Sequence, residues 1–121
     1  MLYPRHQSGK TAEQRACHYL QQQGLRLVTQ NFRCKPGEID LIMQDNTHCI
    51  FIEVRNRKNQ QFGGAAASIT HSKQQKLIRA AHYFLQTQPS YAAMPCRFDV
   101  ITIDGSSTTG ELCWIRDAFL S

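Results

Sequence analysis

The sequence has 121 residues, of which 41% are hydrophobic and 9% aromatic, and this suits one ordinary globular domain. No apolar run approaches the roughly 20 residues of a membrane span, and the first residues lack the apolar core of a signal peptide, so we expect a cytoplasmic protein with no membrane partner. The net charge of +5 favours polyanionic partners such as nucleic acid.

The predicted helices and strands alternate along the whole chain. The first helix is expected over 10–23, with Ser8 as its cap and Gly24 as its stop. A turn at Pro36 precedes two strands joined by the polar residues 45–48, which is a hairpin signal. After the first helix we predict strands over 25–32, 38–44 and 49–56, a loop over 58–68, a helix over 72–88, and strands over 97–104 and 111–116. The order α-β-β-β-α-β-β predicts a single α/β domain over residues 1–121, with a central mixed β-sheet flanked by helices.

The five cysteines predict neither a disulfide framework nor structural zinc. Their number is odd, their spacings are wide and no pair forms a C-x-x-C. In a reducing compartment we expect most of them to be small buried hydrophobic side chains. They are Cys17, Cys34, Cys49, Cys96 and Cys113.

A pair of carboxylates is the main candidate for chemistry. If residues 45–48 form the hairpin loop, the two strands run back from it in step, and Asp40 lies opposite Glu53 on one face. Arg55 shares that face because it lies two residues beyond Glu53. Two carboxylates at about 5 Å repel each other unless a cation lies between them, which suits Mg²⁺ (or Mn²⁺). The alternative is an exposed sheet face on which Arg55 offsets the two charges.

Glu13 is a second unusual acidic residue, because it lies on the apolar stripe of the first predicted helix. That stripe contains Ala16, Cys17 and Leu20, all within about 60° of Glu13 at 100° per residue. A buried glutamate without a partner costs several kcal/mol. A metal ion shared with Asp40 and Glu53 would compensate it. An ion pair with Arg33 or Arg55 is the structural alternative.

Lys73 lies in a corresponding position on the second predicted helix. The apolar face of that helix consists of Leu77, Ala80, Ala81 and Phe84, and Lys73 falls in the middle of the stripe at its N-terminal end. The lysine either reaches a phosphate or an active-site carboxylate, or extends its amine into water from the helix end. The sequence leaves these two readings open.

Two segments of the sequence resemble a known pattern. Residues 37–42 read G-E-I-D-L-I and residues 51–57 read F-I-E-V-R-N-R. Together they resemble the PD-(D/E)xK nuclease signature and, more closely, the YraN-like family of small, largely uncharacterised bacterial proteins. The resemblance covers almost the whole chain and includes Gly9, Glu13, Ala16, Tyr19, Leu20, Gly24, Asn31, Arg33, Phe62, Gly63, Lys73, Leu77, Ala81, Leu85 and residues 97–100.

This resemblance implies a restriction-endonuclease-like core, similar to that of archaeal Holliday-junction resolvases, and a nuclease-like domain. It implies that Glu13, Asp40 and Glu53 are acidic metal ligands, and that Arg55 occupies the position of the catalytic lysine. We assign nucleic-acid contacts to Arg33, Arg57, Lys58 and Lys73. Related junction-cutting nucleases act as dimers, so a homodimer is one expectation, although no apolar stripe of the sequence compels it.

Arg55 departs from the pattern, because the family usually has lysine there. Arginine stabilises phosphate charge but cannot lose a proton to act as a base, and Lys58 or Lys73 is a candidate replacement. The leading hypothesis is a Mg²⁺-dependent nuclease-like protein that hydrolyses phosphodiester bonds of DNA, with branched or damaged forms suggested by analogy alone. The alternative is a degenerate nuclease fold that binds nucleic acid without cleaving it. A third reading is a structural or protein-interaction role with ion-paired carboxylates.

Overall fold

The computed structural model describes residues 4–57 and 69–120, with side chains from residue 10 onward. Within these ranges the chain follows the predicted order, with one short helix added. The elements are α1 (Pro4–Gln22), β1 (Arg26–Arg33), β2 (Glu38–Gln44), β3 (Cys49–Arg57), α2 (His71–Thr87), α3 (Pro89–Ala92), β4 (Cys96–Asp104) and β5 (Glu111–Phe119).

The five strands form one mixed sheet in the order β1-β2-β3-β4-β5. Strands β3 and β4 are parallel, and every other neighbouring pair is antiparallel. Parallel neighbours need a crossover connection, and α2 lies in the segment between β3 and β4. The α/β class and the mixed sheet predicted from the sequence are therefore confirmed.

The two longer helices cover opposite faces of the sheet. The first apolar layer joins α1 to one face through Ala12, Ala16, Leu20, Leu41, Met43, Ile50, Ile52, Ile101 and Ile103. The second layer joins α2 to the other face through Ile42, Phe51, Leu77, Ala80, Ala81, Phe84 and Phe98. The first five residues of the central strand β3 are buried, as expected for a strand covered on both sides. Beyond Glu53 the strand becomes partly exposed, and the charged residues gather at that end.

Several element boundaries differ from the sequence prediction. The first helix begins at Pro4 rather than Lys10, because proline is well tolerated in a first turn, so Ser8 lies inside the helix and is not its cap. Helix α2 begins one residue earlier than predicted, and the Thr70 side chain caps it by accepting from the Lys73 backbone N–H at 3.1 Å. The short α3 was not predicted, and β5 continues to Phe119 instead of ending at residue 116. Gly24 follows α1 as expected, with a φ of 100° that favours glycine.

The cysteine prediction holds only in part. All five thiols are free, but only Cys17 and Cys49 are buried. Cys34 is half-buried, whereas Cys96, the first residue of β4, and Cys113, in the edge strand β5, are exposed. No helix in the described ranges is long and apolar enough to cross a membrane. The predicted loop over 58–68 lies outside the described residues.

Candidate functional site

The hairpin register that pairs the two central acidic strands agrees with the prediction. Strands β2 and β3 are in register from Leu41–Ile52 to Gln44–Cys49, which is the alignment expected from a loop over 45–48. The backbone ladder ends at the Leu41–Ile52 pair. Just beyond it, the Asp40 side chain replaces a backbone acceptor, because its Oδ2 accepts a hydrogen bond from the Val54 backbone N–H at 2.9 Å. The carboxylate of Asp40 is thus held between the two strands, beside Glu53.

Glu13 reaches this carboxylate from α1. Burial raises its pKa from 4.5 to about 7, and the negative charges of Asp40 and Glu38 add to the effect. A side-chain hydrogen bond between Glu13 and Asp40 raises the pKa of Glu13 further. With its amide oriented so that the nitrogen faces the carboxylates, Asn31 donates to Glu13 Oε1 at 3.0 Å and to Glu38 Oε2 at 3.1 Å. Glu13 therefore lies against the sheet as predicted, and its polar contacts are a carboxyl group and an amide.

Glu53 is the most deeply buried acidic side chain of the group, with 6% exposure. Lys73 Nζ lies 3.7 Å from Glu53 Oε2, and Arg55 Nη1 lies 3.8 Å from the same oxygen. Burial and the charge of Asp40 nevertheless raise the pKa of Glu53 from 4.5 to about 8. Both cationic side chains are more than one third exposed, so water screens their attraction. Of the two readings left open for Lys73, the structure supports contact with a carboxylate.

The three carboxyl groups form a chain in which Asp40 is the central member. Glu53 hydrogen-bonds with Asp40 on one side and Glu13 does so on the other. Burial raises the pKa of Asp40, while the Val54 N–H and the Lys73 charge lower it. Within residues 4–57 and 69–120, no three His, Cys, Asp or Glu side chains are arranged as a ready-made metal-binding group. Burial is the largest cause of the raised pKa in each of the three carboxyl groups.

The four residues assigned to nucleic acid are placed differently from one another. Lys73 lies at the carboxylate cluster, and Arg33 is 3.5 Å from Glu38 with its side chain 75% exposed. Arg57 instead makes a two-pronged ion pair with Asp104, at 2.7 and 2.9 Å. Both of those side chains are only 14% exposed, so the charge of Arg57 is already neutralised. Lys58 lies outside the described residues.

Asn31 and Glu38 belong to the site but were not among the predicted site residues. Asn31 lies between the β1–β2 pairs Gln30–Leu41 and Phe32–Ile39, which puts it opposite Asp40. Its φ of 55° is unusual within a strand. The sequence offered two signals for Asn31, its place in the family resemblance and its occurrence inside a predicted strand, where asparagine is uncommon. Strand alternation could not have shown its side-chain contacts.

A second buried carboxylate, Asp99, has a structural explanation. Its two oxygens accept from the Arg97 guanidinium at 3.0 and 3.2 Å, from the Trp114 indole N–H at 2.9 Å and from the Asp117 backbone N–H at 2.9 Å. Asp117 has a φ of 53°, and the β4–β5 register shifts between Phe98 and Val100. Asp99 therefore holds an irregular stretch of the sheet edge, and all of its acceptor sites are used within the chain.

Comparison with known proteins identifies the family. Residues 12–103 match the model of the uncharacterised protein family UPF0102. The chain belongs to this family. A UPF0102 protein of Pseudomonas fluorescens (strain Pf0-1) is 55% identical over 113 residues, which cover 93% of this chain and 92% of the relative. UPF0102 proteins of Nitrosococcus oceani and Legionella pneumophila (strain Corby) are 50% and 48% identical, over 92% and 93% of this chain and over 90% and 94% of their own lengths.

Membership in UPF0102 confirms the resemblance to the YraN-like family. The matched segment includes every member of the carboxylate chain, together with Asn31, Arg55 and Lys73. The family description and the names of these relatives state no activity.

Proposed function

We propose that this UPF0102 protein is a divalent-cation-dependent nuclease-like protein that acts on phosphodiester bonds of DNA. The observation that carries the proposal is the contact of three partly or fully buried carboxyl groups, Glu13, Asp40 and Glu53. Buried carboxyl groups in contact repel one another when they are charged, so such a cluster costs stability. A bound cation would remove this repulsion as the groups release their protons.

The donor set fits Mg²⁺ or Mn²⁺, because all three candidate ligands are carboxylate oxygens. Asp40 and Glu53 lie side by side at the end of the β2–β3 ladder, and Glu13 approaches from α1. When bound, such a cation activates water and neutralises charge on a phosphoryl group. The raised pKa values of Glu13 (about 7) and Glu53 (about 8) mean that binding would release protons.

Lys73 is the candidate to replace the lysine that is absent at position 55. The nuclease signature that the sequence resembles has lysine at the position of Arg55, and here Lys73 brings an ammonium to the same oxygen of Glu53 that Arg55 approaches. An ammonium is a compact point charge with three N–H donors, whereas a guanidinium is a larger planar fork. In the proposed reaction, Lys73 polarises the attacking water, and Arg55 binds the phosphate that is being cleaved.

Exposed cations beside the cluster support a polyanionic substrate. Lys35 is exposed in the turn after β1, and Lys76 is exposed on α2. The two elements are adjacent, because a Cβ on Gly37 would lie 3.5 Å from the Lys76 Cβ. With Arg33 and Lys73, these lysines make a basic rim on one side of the carboxylates. Such a rim steers and holds a phosphate backbone through release of counterions.

Calorimetric titration with Mn²⁺ is the first test. Wild type is expected to bind the ion with a Kd that weakens as the pH falls from 8 to 6, and Asp40→Asn is expected to abolish binding. Glu111→Gln, an exposed glutamate of β5, is the matched control and should bind like wild type. Absence of binding in wild type, or equal binding by Asp40→Asn, would contradict the proposal.

Cleavage of supercoiled and branched DNA is the second test. Asp40→Asn, Glu53→Gln and Lys73→Ala are each expected to lower the rate by at least about 100-fold, while Glu111→Gln keeps it. If the Asp40→Asn and Glu53→Gln proteins cleave as fast as wild type, the activity comes from a contaminant and the proposal fails.

The position of Arg55 favours one second candidate, a module that binds nucleic acid without cleaving it. Its guanidinium lies beside Glu53, where it crowds the space for an attacking water. This candidate predicts salt-dependent DNA binding with no cleavage at any Mn²⁺ concentration. Gain of cleavage by Arg55→Lys would assign the loss of activity to that one residue.

A further inference from the structure

Asn31 has an unusual backbone conformation near the end of β1. Its φ is 55°, and Asp117 is the one other non-glycine residue with positive φ in the described ranges. Its neighbours Gln30 and Phe32 remain paired with β2. Asparagine adopts this left-handed conformation more readily than most residues. A non-glycine residue that keeps a left-handed conformation within a strand indicates that surrounding contacts compensate the free-energy cost of that conformation.

The side-chain amide of Asn31 supplies that compensation. An amide nitrogen carries two N–H donors, and Asn31 uses one on Glu13 Oε1 at 3.0 Å and one on Glu38 Oε2 at 3.1 Å. The two acceptors come from different elements, since Glu13 lies on α1 and Glu38 begins β2. Glu38 is fixed in turn by Arg33, at 3.5 Å from the same oxygen. The amide thus connects the helix carboxylate to a carboxylate of the sheet.

We propose that Asn31 is a positioning residue of the carboxylate site, and that its amide fixes the Glu13 side chain against Asp40. The inference rests on the proposed function in one respect, namely that Glu13 and Asp40 are ligands of a cation. Glutamate has three rotatable side-chain bonds, so a ligand on a helix needs an outer hydrogen bond to hold its orientation. Such outer partners commonly change metal affinity 10- to 100-fold when removed.

Asn31→Gly separates the contribution of the Asn31 side-chain amide from that of its backbone conformation. Glycine adopts a φ of 55° without a penalty, so the substitution keeps the backbone and removes only the amide. We expect Mn²⁺ binding by calorimetry to weaken at least about tenfold. Gln30→Gly places the same residue at the exposed neighbouring position of β1 and should leave the affinity within about twofold of wild type. Wild-type affinity in Asn31→Gly would overturn the inference.

A metal-free measurement keeps this inference distinct from the proposed function. In ¹H–¹⁵N spectra of the wild-type protein, the two side-chain N–H resonances of Asn31 should each respond to a different substitution, one to Glu13→Ala and the other to Glu38→Ala. Resonances unchanged in both variants would overturn the inference. If wild type binds no Mn²⁺, the proposed function fails, and these spectra alone then decide whether Asn31 fixes Glu13.

Discussion

The raised pKa of Glu53 predicts an unusual dependence of stability on pH. The folded protein keeps a proton on Glu53 up to about pH 8, whereas the unfolded chain releases it near the ordinary value of 4.5. Between these values the folded state binds more protons, so the free energy of unfolding falls as the pH rises. It is highest below the ordinary value and has lost this contribution above about pH 8. Glu13, with a pKa raised to about 7, acts in the same direction.

The magnitude can be bounded from the structure. A rise in the pKa of Glu53 from 4.5 to about 8 corresponds to at most about 5 kcal/mol. Two features reduce that figure. The proton is shared with Asp40, so part of the effect belongs to the pair, and two exposed cations lie within 4 Å of the Glu53 oxygen. We therefore expect the free energy of unfolding to fall by about 2–3 kcal/mol between pH 5 and pH 9.

Glu53→Gln is the informative perturbation, because glutamine resembles the protonated glutamate and cannot ionise. It should lose the part of the pH dependence that comes from Glu53, keep the part that comes from Glu13, and be more stable than wild type at pH 9 by about 2 kcal/mol. Urea unfolding in EDTA, followed by the fluorescence of the single tryptophan, measures this at each pH. Comparing the two proteins cancels the contributions of the titratable groups that they share. Glu111→Gln should follow the wild-type curve. Parallel curves for wild type and Glu53→Gln would refute the reasoning.

Three other substitutions have expected effects on stability, each measured by the urea unfolding midpoint at pH 6. Asp99→Ala leaves the Arg97 guanidinium and the Trp114 indole without their buried acceptor, and we expect a loss of about 3–5 kcal/mol. An unchanged midpoint would contradict this role. Thr102→Val removes a buried hydroxyl that has no hydrogen-bond partner within residues 4–57 and 69–120, so we expect a gain of about 1 kcal/mol. A lower midpoint would indicate a partner for the hydroxyl. Gly24→Ala forces alanine to a φ of 100° and should cost about 1–2 kcal/mol, whereas a neutral effect would show that the turn relaxes.

The central part of the site was determined by the sequence itself. A polar loop of four residues sets the register of one hairpin, which the structure keeps as far as Leu41–Ile52. A side-chain period of two predicts Asp40 beside Glu53. The two carboxyl groups do lie together, although Asp40 accepts from the Val54 N–H instead of continuing the ladder. The helical period likewise put Glu13 and Lys73 on buried stripes. These are local regularities, so they could be read without knowing how distant segments meet. The α/β class follows from the same periodicities.

Only the tertiary structure decided what each charged group contacts. Arg57 lies two residues beyond Arg55 on the same strand, yet the parallel β3–β4 pairing gives it Asp104 as a partner. Asn31 enters the site through a backbone angle that no periodicity predicts. These contacts join residues far apart in sequence, and a shift of a few ångströms would change every partner. The sequence alone could therefore place the carboxylates, while their shared protons and the amide that orients Glu13 depend on how the helices pack against the sheet.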